Sequence, residues 1–364
     1  MNLFELELRH YNRDSMTTDD KLTGLGWRLH FAAQLVDEES GSTEIARVLA
    51  VHRGRIDVAT NRDDVAIPLT GKSAALDITV GDWLLIEKDG LRVARRLDRF
   101  GLFQRRAAGT SGEIQLIAAN VDTLFIVTSA DRDFNVARLE RYLAVAHDAA
   151  AHPVIVITKA DTVASVAELV REAARLLPGL LVESLDARDS EQVAVLKPWC
   201  EAGQTVALAG SSGVGKSTLI NTLTGAHQET SGVREDDQRG RHTTTGRSMH
   251  QLPDGGWLID TPGMRELQLV DVGDALQDVF GDVAETAAGC RFADCSHEAE
   301  PGCAVLAAIE TGELDASRLK RYRKLLSEDR RNTESLAQRH ARDRATGKLY
   351  KSILSEKRRD KGGS

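Results

Sequence analysis

No apolar run in this 364-residue chain approaches the ~18 residues needed to cross a bilayer; the best candidates, Leu124–Ala130 and Pro153–Thr158, are strand-sized. The first residues, Met1 to Asn12, mix Glu, Arg and His with Leu and lack the basic-then-apolar order of a secretory signal. Neither membrane contact nor secretion is expected. Cysteine is scarce: Cys200, Cys290, Cys295 and Cys303 are too few for a disulfide scaffold in so long a chain. Three of them crowd into fourteen residues, which points to a metal before it points to disulfides. A reducing, cytoplasmic setting follows. Internal repeats are absent as well.

What is present is ordinary globular material, 41% hydrophobic and 28% charged, in a length that calls for two or three domains. The net charge of −8 hides an asymmetry. Residues 318–364 hold 16 Lys/Arg against 6 Asp/Glu, and the rest of the chain holds 31 against 49. An acidic body with a basic tail suits a polyanionic partner, nucleic acid first; a solvated, partly disordered tail has the same composition.

Residues 1–35 read as a loosely ordered lead-in anchored by Leu25-Gly26-Trp27. Short β-rich segments follow at Glu44–Val51, Arg55–Thr60, Asp64–Leu69, Asp82–Glu87 and Leu91–Leu97, separated by turn signals. Five short strands in about sixty residues fit a small barrel, an OB-fold or an SH3-like one. Beyond Gly109, strands expected at Thr123–Thr128, Val154–Thr158, Leu180–Glu183, Thr205–Ala209 and Trp257–Ile259 alternate with helical patterns at Val136–Ala149, Val163–Leu177 and Lys216–Leu223. That alternation predicts an α/β domain with a mostly parallel sheet. Behind it, Leu319, Tyr322, Leu325 and Leu326 share one face of a helix over Ser317–Glu328. The resulting division is 1–35 lead-in, 36–108 barrel, 109–280 α/β domain, 281–330 metal-binding and mainly helical, 331–364 basic tail.

Gly210, Ser211, Ser212, Gly213, Val214, Gly215, Lys216 and Ser217 match G-x-x-x-x-G-K-S/T in full, directly after one apolar strand and before a helix. Glycines let the backbone N–H groups curl inward around phosphate oxygens, and the helix adds its positive end. Lys216 brings charge to the β- and γ-phosphates, the Ser217 hydroxyl is a Mg²⁺ ligand, and Thr218 is a further phosphate contact. Asp260-Thr261-Pro262-Gly263 closes another strand. Its Asp is placed to hold Mg²⁺ through water, and Gly263 to offer an N–H to a γ-phosphate. Thr158-Lys159-Ala160-Asp161 closes a third. A carboxylate only accepts hydrogen bonds, so Asp161 suits the two adjacent donors of guanine and leaves adenine with a repulsive contact.

These three motifs resemble those of a GTPase, but the base-reading one precedes the phosphate loop, as in circularly permuted GTPases. Together with the barrel in front, Gly240-Arg-His-Thr-Thr-Thr245 and the cysteine cluster behind, the chain resembles the small-subunit-dependent GTPase family RsgA (YjeQ) from about Leu25 to Leu326. The resemblance implies GTP hydrolysis with GTP/GDP and Mg²⁺, and binding to the small (30S) ribosomal subunit and its 16S rRNA during late maturation. It makes Arg239–Thr245 switch I, with Thr244 closing over Mg²⁺ and the γ-phosphate. Two departures stand out: the base-reading motif opens with Thr158 in place of Asn, and the usual Ser-Ala of the last motif is degraded at Glu183-Ser184.

A Gln that orients the attacking water often follows the Gly of the second motif; here Met264 stands there, so slow intrinsic turnover is expected. The resemblance offers His242 as a substitute, active once a partner orders switch I. Cys290, Cys295, His297 and Cys303 supply three thiolates and an imidazole, a closed tetrahedral set for one structural Zn²⁺. For RNA, Arg92, Arg95, Arg96, Arg99, Arg105 and Arg106 crowd the end of the barrel near Trp83, Phe100 and Phe103, and Lys320, Arg321, Arg323 and Lys324 offer a second basic surface. A monomeric cytoplasmic GTPase is expected. The rival is a nucleotide-gated RNA-binding module whose turnover is incidental.

Overall fold

The computed structural model describes residues 20–37, 39, 41–71, 76–88, 92–106, 114–131, 133–225, 247–260, 264, 269, 272–330 and 332. They fall into two compact units, Met1–Arg105 with Gln115–Leu267, and Arg106–Ile114 with Gln268–Ser364.

In the first unit, the short alternating segments become β1 (Thr43–His52), β2 (Arg55–Thr60), β3 (Asp64–Pro68), β4 (Trp83–Glu87) and β5 (Arg92–Arg96), all antiparallel to their neighbours. Their inward residues, Ala46, Val48, Ile56, Val58, Ile67, Leu84 and Ile86, share one core with Ile78, and Val93 packs against it. A register shift between Val48 and Ala50 lets β1 bend and serve both β2 and β4. β6 (Leu102–Arg106) and β7 (Ile114–Ala119) form a separate two-stranded sheet.

The apolar runs become β8 (Thr123–Ser129), β9 (His152–Thr158), β10 (Leu181–Ser184), β11 (Thr205–Ala209) and β13 (Trp257–Asp260), with β12 (Arg247–Gln251) before the last. β8 and β11 are buried along their whole length, as strands covered on both faces must be. The order is β10-β9-β8-β11-β13-β12, and every neighbouring pair is parallel except β12–β13. Helices α1 (Val136–Asp148), α2 (Ala167–Ala174) and α3 (Lys216–Leu223) connect them. From β8 the chain builds outward through β9 to β10, then returns to the other side of β8 with β11. The direction of build-out reverses between β8 and β11, and ligands of open α/β sheets bind at the carboxyl ends of strands at such a point. β12 also pairs with β1, so one eleven-stranded sheet runs on into the barrel strands.

In the lead-in, Asp20–Gly24 and Leu29–Ala32 are helical, and Leu22, Leu25 and Phe31 are buried. They close over Arg47, which projects from β1 and is 1% exposed. Its guanidinium lies 5.5 Å from the Trp83 ring centre and donates to Leu25 O, to Thr205 Oγ1 (2.8 Å) and to Asn120 O (3.3 Å). Burial lowers its pKa to about 10, so it stays charged at neutral pH. Asp122, paired with Arg28 at 2.6 Å, accepts from the Thr205 N–H at 2.8 Å. Barrel and parallel sheet are thus knitted together at the head of β11.

In the second unit, α4 (Gly273–Val279), α5 (Gly281–Ala287) and α6 (Ala304–Thr311) precede helical residues 316–330. Leu319, Tyr322 and Leu325 face inward as their spacing predicts, and Tyr322 packs against Phe280 at 5.1 Å. No helix among the described residues is long and apolar enough to cross a membrane.

Candidate nucleotide site and metal centre

The phosphate loop, the Thr158–Asp161 loop and Asp260 lie at the carboxyl edge of the parallel strands. Gly210 to Ser217 bridge β11 and α3. Gly210 has φ +143, and a Cβ there would fall 2.2 Å from Val127 O, so only glycine fits. The Lys216 ammonium is buried within the loop and donates to the carbonyls of Gly210 (2.7 Å) and Ser211.

Thr158 ends β9, wholly buried, with its hydroxyl within hydrogen-bond reach of Thr128 O (3.1 Å) and Val214 O. The shorter side chain in place of Asn therefore still braces the base-reading loop against the phosphate loop. Lys159 takes a left-handed conformation, φ 54, and its ammonium meets Asp131 at 2.9 Å. Lys159, Ser129 Oγ and the Asp133 N–H together hold the Asp131 carboxyl down at about 2. Asp161 is paired with Arg188 at 2.8 Å, and Arg188 also chelates Asp186. The Ala160 N–H reaches Leu185 O at 3.4 Å. The loop beside the base-reading motif is thus 185–188, which directly follows Glu183-Ser184.

Asp260 ends β13, and the parallel register Ala207↔Ile259 sets it level with Leu208, just before the phosphate loop. Met264 is 1% exposed and takes no polar role. His242, Thr244 and Gly263 lie outside the described residues. The sequence reading also missed Asp131, Asp133 and Arg138, whose placement depends on β8 neighbouring β11, a pairing between segments about eighty residues apart.

The metal ligands are in the second unit. One donor atom from each of Cys290, Cys295, His297 and Cys303 lies within 4.8 Å of all the others. Cys290 Sγ is 3.9 Å from Cys303 Sγ, and His297 Nδ1 is 3.6 and 3.4 Å from those two sulfurs. Ligands at about 2.3 Å (S) and 2.0–2.1 Å (N) around a tetrahedral Zn²⁺ stand about 3.5–3.8 Å apart, so the cluster fits zinc. Gly302, with φ +79, turns the chain back, and Cys303 caps α6 with its sulfur accepting from the Leu306 N–H at 3.4 Å.

Most of the barrel arginines have partners within the protein. Arg95 grips Glu39, Arg99 grips the fully buried Asp82 and Arg92 pairs with Glu87. Arg96 donates to Leu97 O and Arg105 to the Gln115 side chain. Trp83 and Phe103 are core residues, and half-buried Phe100 lies beneath Arg28 at 4.9 Å. Trp83 and Phe103 are thus not open to stacking on bases, whereas Arg92 remains exposed beside Glu87. On helical residues 316–330, Lys320 and Lys324 are exposed as well.

Strand order, phosphate loop and base-reading loop define a P-loop GTPase whose motifs run in permuted order. A model of the RsgA GTPase family matches residues 96–270. A curated relative from Vibrio parahaemolyticus, named small ribosomal subunit biogenesis GTPase RsgA 2, is 48% identical over 345 residues, 94% of this chain and 96% of the relative. The crystal structure of YjeQ from Thermotoga maritima is similar with a TM-score of 0.61 and 26% identity, covering 79% of this chain and 98% of that one. YloQ, described as a circularly permuted GTPase, shares the fold at a TM-score of 0.57 and 23% identity, over 82% and 99% of the two chains. The chain belongs to the RsgA GTPase family.

Proposed function

We propose that this protein hydrolyses GTP on the small ribosomal subunit during the subunit's late assembly, and that docking there switches hydrolysis on. One observation carries the reading. The phosphate loop, the Thr158–Asp161 loop and Asp260 lie at the carboxyl ends of β11, β9 and β13 in one parallel sheet although they are scattered through the sequence. Gly210 to Thr218 hold the phosphates, with Lys216 exchanging its loop carbonyls for phosphate oxygens. Asp161 reads guanine, and that contact competes with Arg188. Ser217 and Asp260 supply the hard oxygen ligands that suit Mg²⁺, whose charge offsets that of the phosphates. Thr244 closes switch I, Gly263 donates its N–H to the γ-phosphate, and His242 orients the attacking water in place of buried Met264.

The wider organisation follows from the same reading. The G domain, 109–280, carries the barrel, 36–108, in front and the segment 281–330 behind. Cys290, Cys295, His297 and Cys303 hold one structural Zn²⁺, which leaves no open position for catalysis. Lys320, Lys324 and the basic tail meet the phosphates of 16S rRNA. The protein works as a cytoplasmic monomer.

The test is GTP turnover by the full chain with and without purified small subunits. Stimulation above about tenfold, lost in His242→Ala, is the expected result. Turnover indifferent to the subunits would instead make the chain a nucleotide-gated RNA-binding module, a reading that buried Met264 favours.

A further inference from the structure

At the reversal point between β8 and β11, a charged cluster adjoins the phosphate loop. Arg138 lies in the first turn of α1, where the Asn135 side chain caps the helix by accepting from the Arg138 N–H at 3.0 Å. Its Nη1 donates both to Asp133 Oδ1, at 2.6 Å, and to the Ser211 hydroxyl in the phosphate loop. The other Asp133 oxygen is buried and has no hydrogen-bond partner among the described residues, so Arg138 is the cation that balances this carboxylate. Ser211 presents its carbonyl to the Lys216 ammonium and its hydroxyl to Arg138. Lys216 is the cation expected to serve the β- and γ-phosphates, and Arg138 shares Ser211 with it as a partner.

We propose that Arg138, anchored by Asp133, is a positioning residue for GTP hydrolysis that acts through the Ser211 hydroxyl; the proposal rests on the nucleotide-site reading above. A hydroxyl has one proton and two lone pairs, and a guanidinium has no acceptor. With Arg138 on a lone pair, the Ser211 proton must point elsewhere, and the phosphate side of the loop is where an acceptor arrives. In hydrolysis the water oxygen bonds to the γ-phosphorus, the bond to the β–γ bridging oxygen breaks with its electron pair staying on GDP, and both of the water's protons leave with the phosphate. Negative charge is redistributed over the bridging and γ-oxygens as this happens. A preset O–H donor backed by a permanent cation favours that distribution more than the ground state. It supplies in part what Met264 cannot.

The experiment compares Arg138→Ala, Arg138→Lys and Ser211→Ala in the full chain, measuring subunit-free kcat and KM for GTP and affinity for GDP with and without aluminium fluoride. Arg138→Ala and Ser211→Ala should each lower kcat about tenfold or more and abolish the gain in affinity that aluminium fluoride confers. In Arg138→Ala, GDP affinity should stay within about threefold of the parent, and Arg138→Lys should recover part of kcat. Should Arg138→Ala unfold because Asp133 is left uncompensated, the Asp133→Asn/Arg138→Ala pair takes its place, and Ser211→Ala decides independently. A kcat within twofold of the parent in Ser211→Ala, or equal losses of GDP affinity and kcat, overturns the proposal. A parent chain that binds no guanine nucleotide overturns the site reading instead.

Discussion

On the proposed reading, Asp161 bears base choice on one carboxylate. Guanine offers it two donors, whereas xanthine offers one donor and an acceptor, which an amide matches better. Asp161→Asn should therefore lose GTP affinity by about 10²-fold and gain affinity for xanthosine triphosphate, measured by competition with a fluorescent nucleotide. Loss of both nucleotides together would mean that the substitution broke the loop. Gly210 is a backbone counterpart: Gly210→Ala sets a Cβ against Val127 O, so nucleotide binding should fall and the unfolding midpoint in urea should drop. The candidate phosphate and base motifs were legible because each is contiguous and adjoins the end of an apolar strand. Arg138, Asp131 and Arg188 were not, since each acquires its partner only when β8, β9, β10 and β11 assemble.

Among elements, the strands read most faithfully were those with a continuous apolar run or a clean alternation. Arg55–Thr60 and Thr205–Ala209 match residue for residue. β6, β7 and β12 were missed. β12 (Arg-Ser-Met-His-Gln) buries only Met249, and the rest of its pattern is that of a loop; its pairing with β13 and β1 makes it a strand. The helix over Val163–Leu177 shortens to Ala167–Ala174, while Ala160–Thr162 tightens into a 3₁₀ turn that presents Asp161. The metal loop gives an element-scale prediction. Burial pushes the Cys200 thiol up to about 12, so it stays protonated and unreactive near neutral pH. Thiol reagent should find no reactive group in the zinc-loaded protein, three after chelation, and the fourth only in denaturant. Four reactive thiols before chelation would contradict the assigned ligand set.

At the level of the whole molecule, the barrel and the parallel sheet share one set of hydrogen-bonded strands, cross-tied by buried Arg47. Composition signalled separate segments here, but a continuous sheet is invisible to local pattern because β1 and β12 are about two hundred residues apart. The charge asymmetry belongs to this scale too. Deleting residues 331–364 should weaken binding to RNA and flatten its salt dependence, while leaving subunit-free GTP turnover unchanged. An unaltered salt slope would assign the tail no phosphate contacts.

The central claim is that three loops out of the customary order form one guanine-nucleotide site. Calorimetric titration of the full chain with GDP and with ADP, in the presence of Mg²⁺, tests it most directly. One equivalent of GDP should bind and ADP should release no heat, with GDP binding lost in Lys216→Ala. Equal binding of the two nucleotides, or no GDP binding by the parent chain, would contradict it.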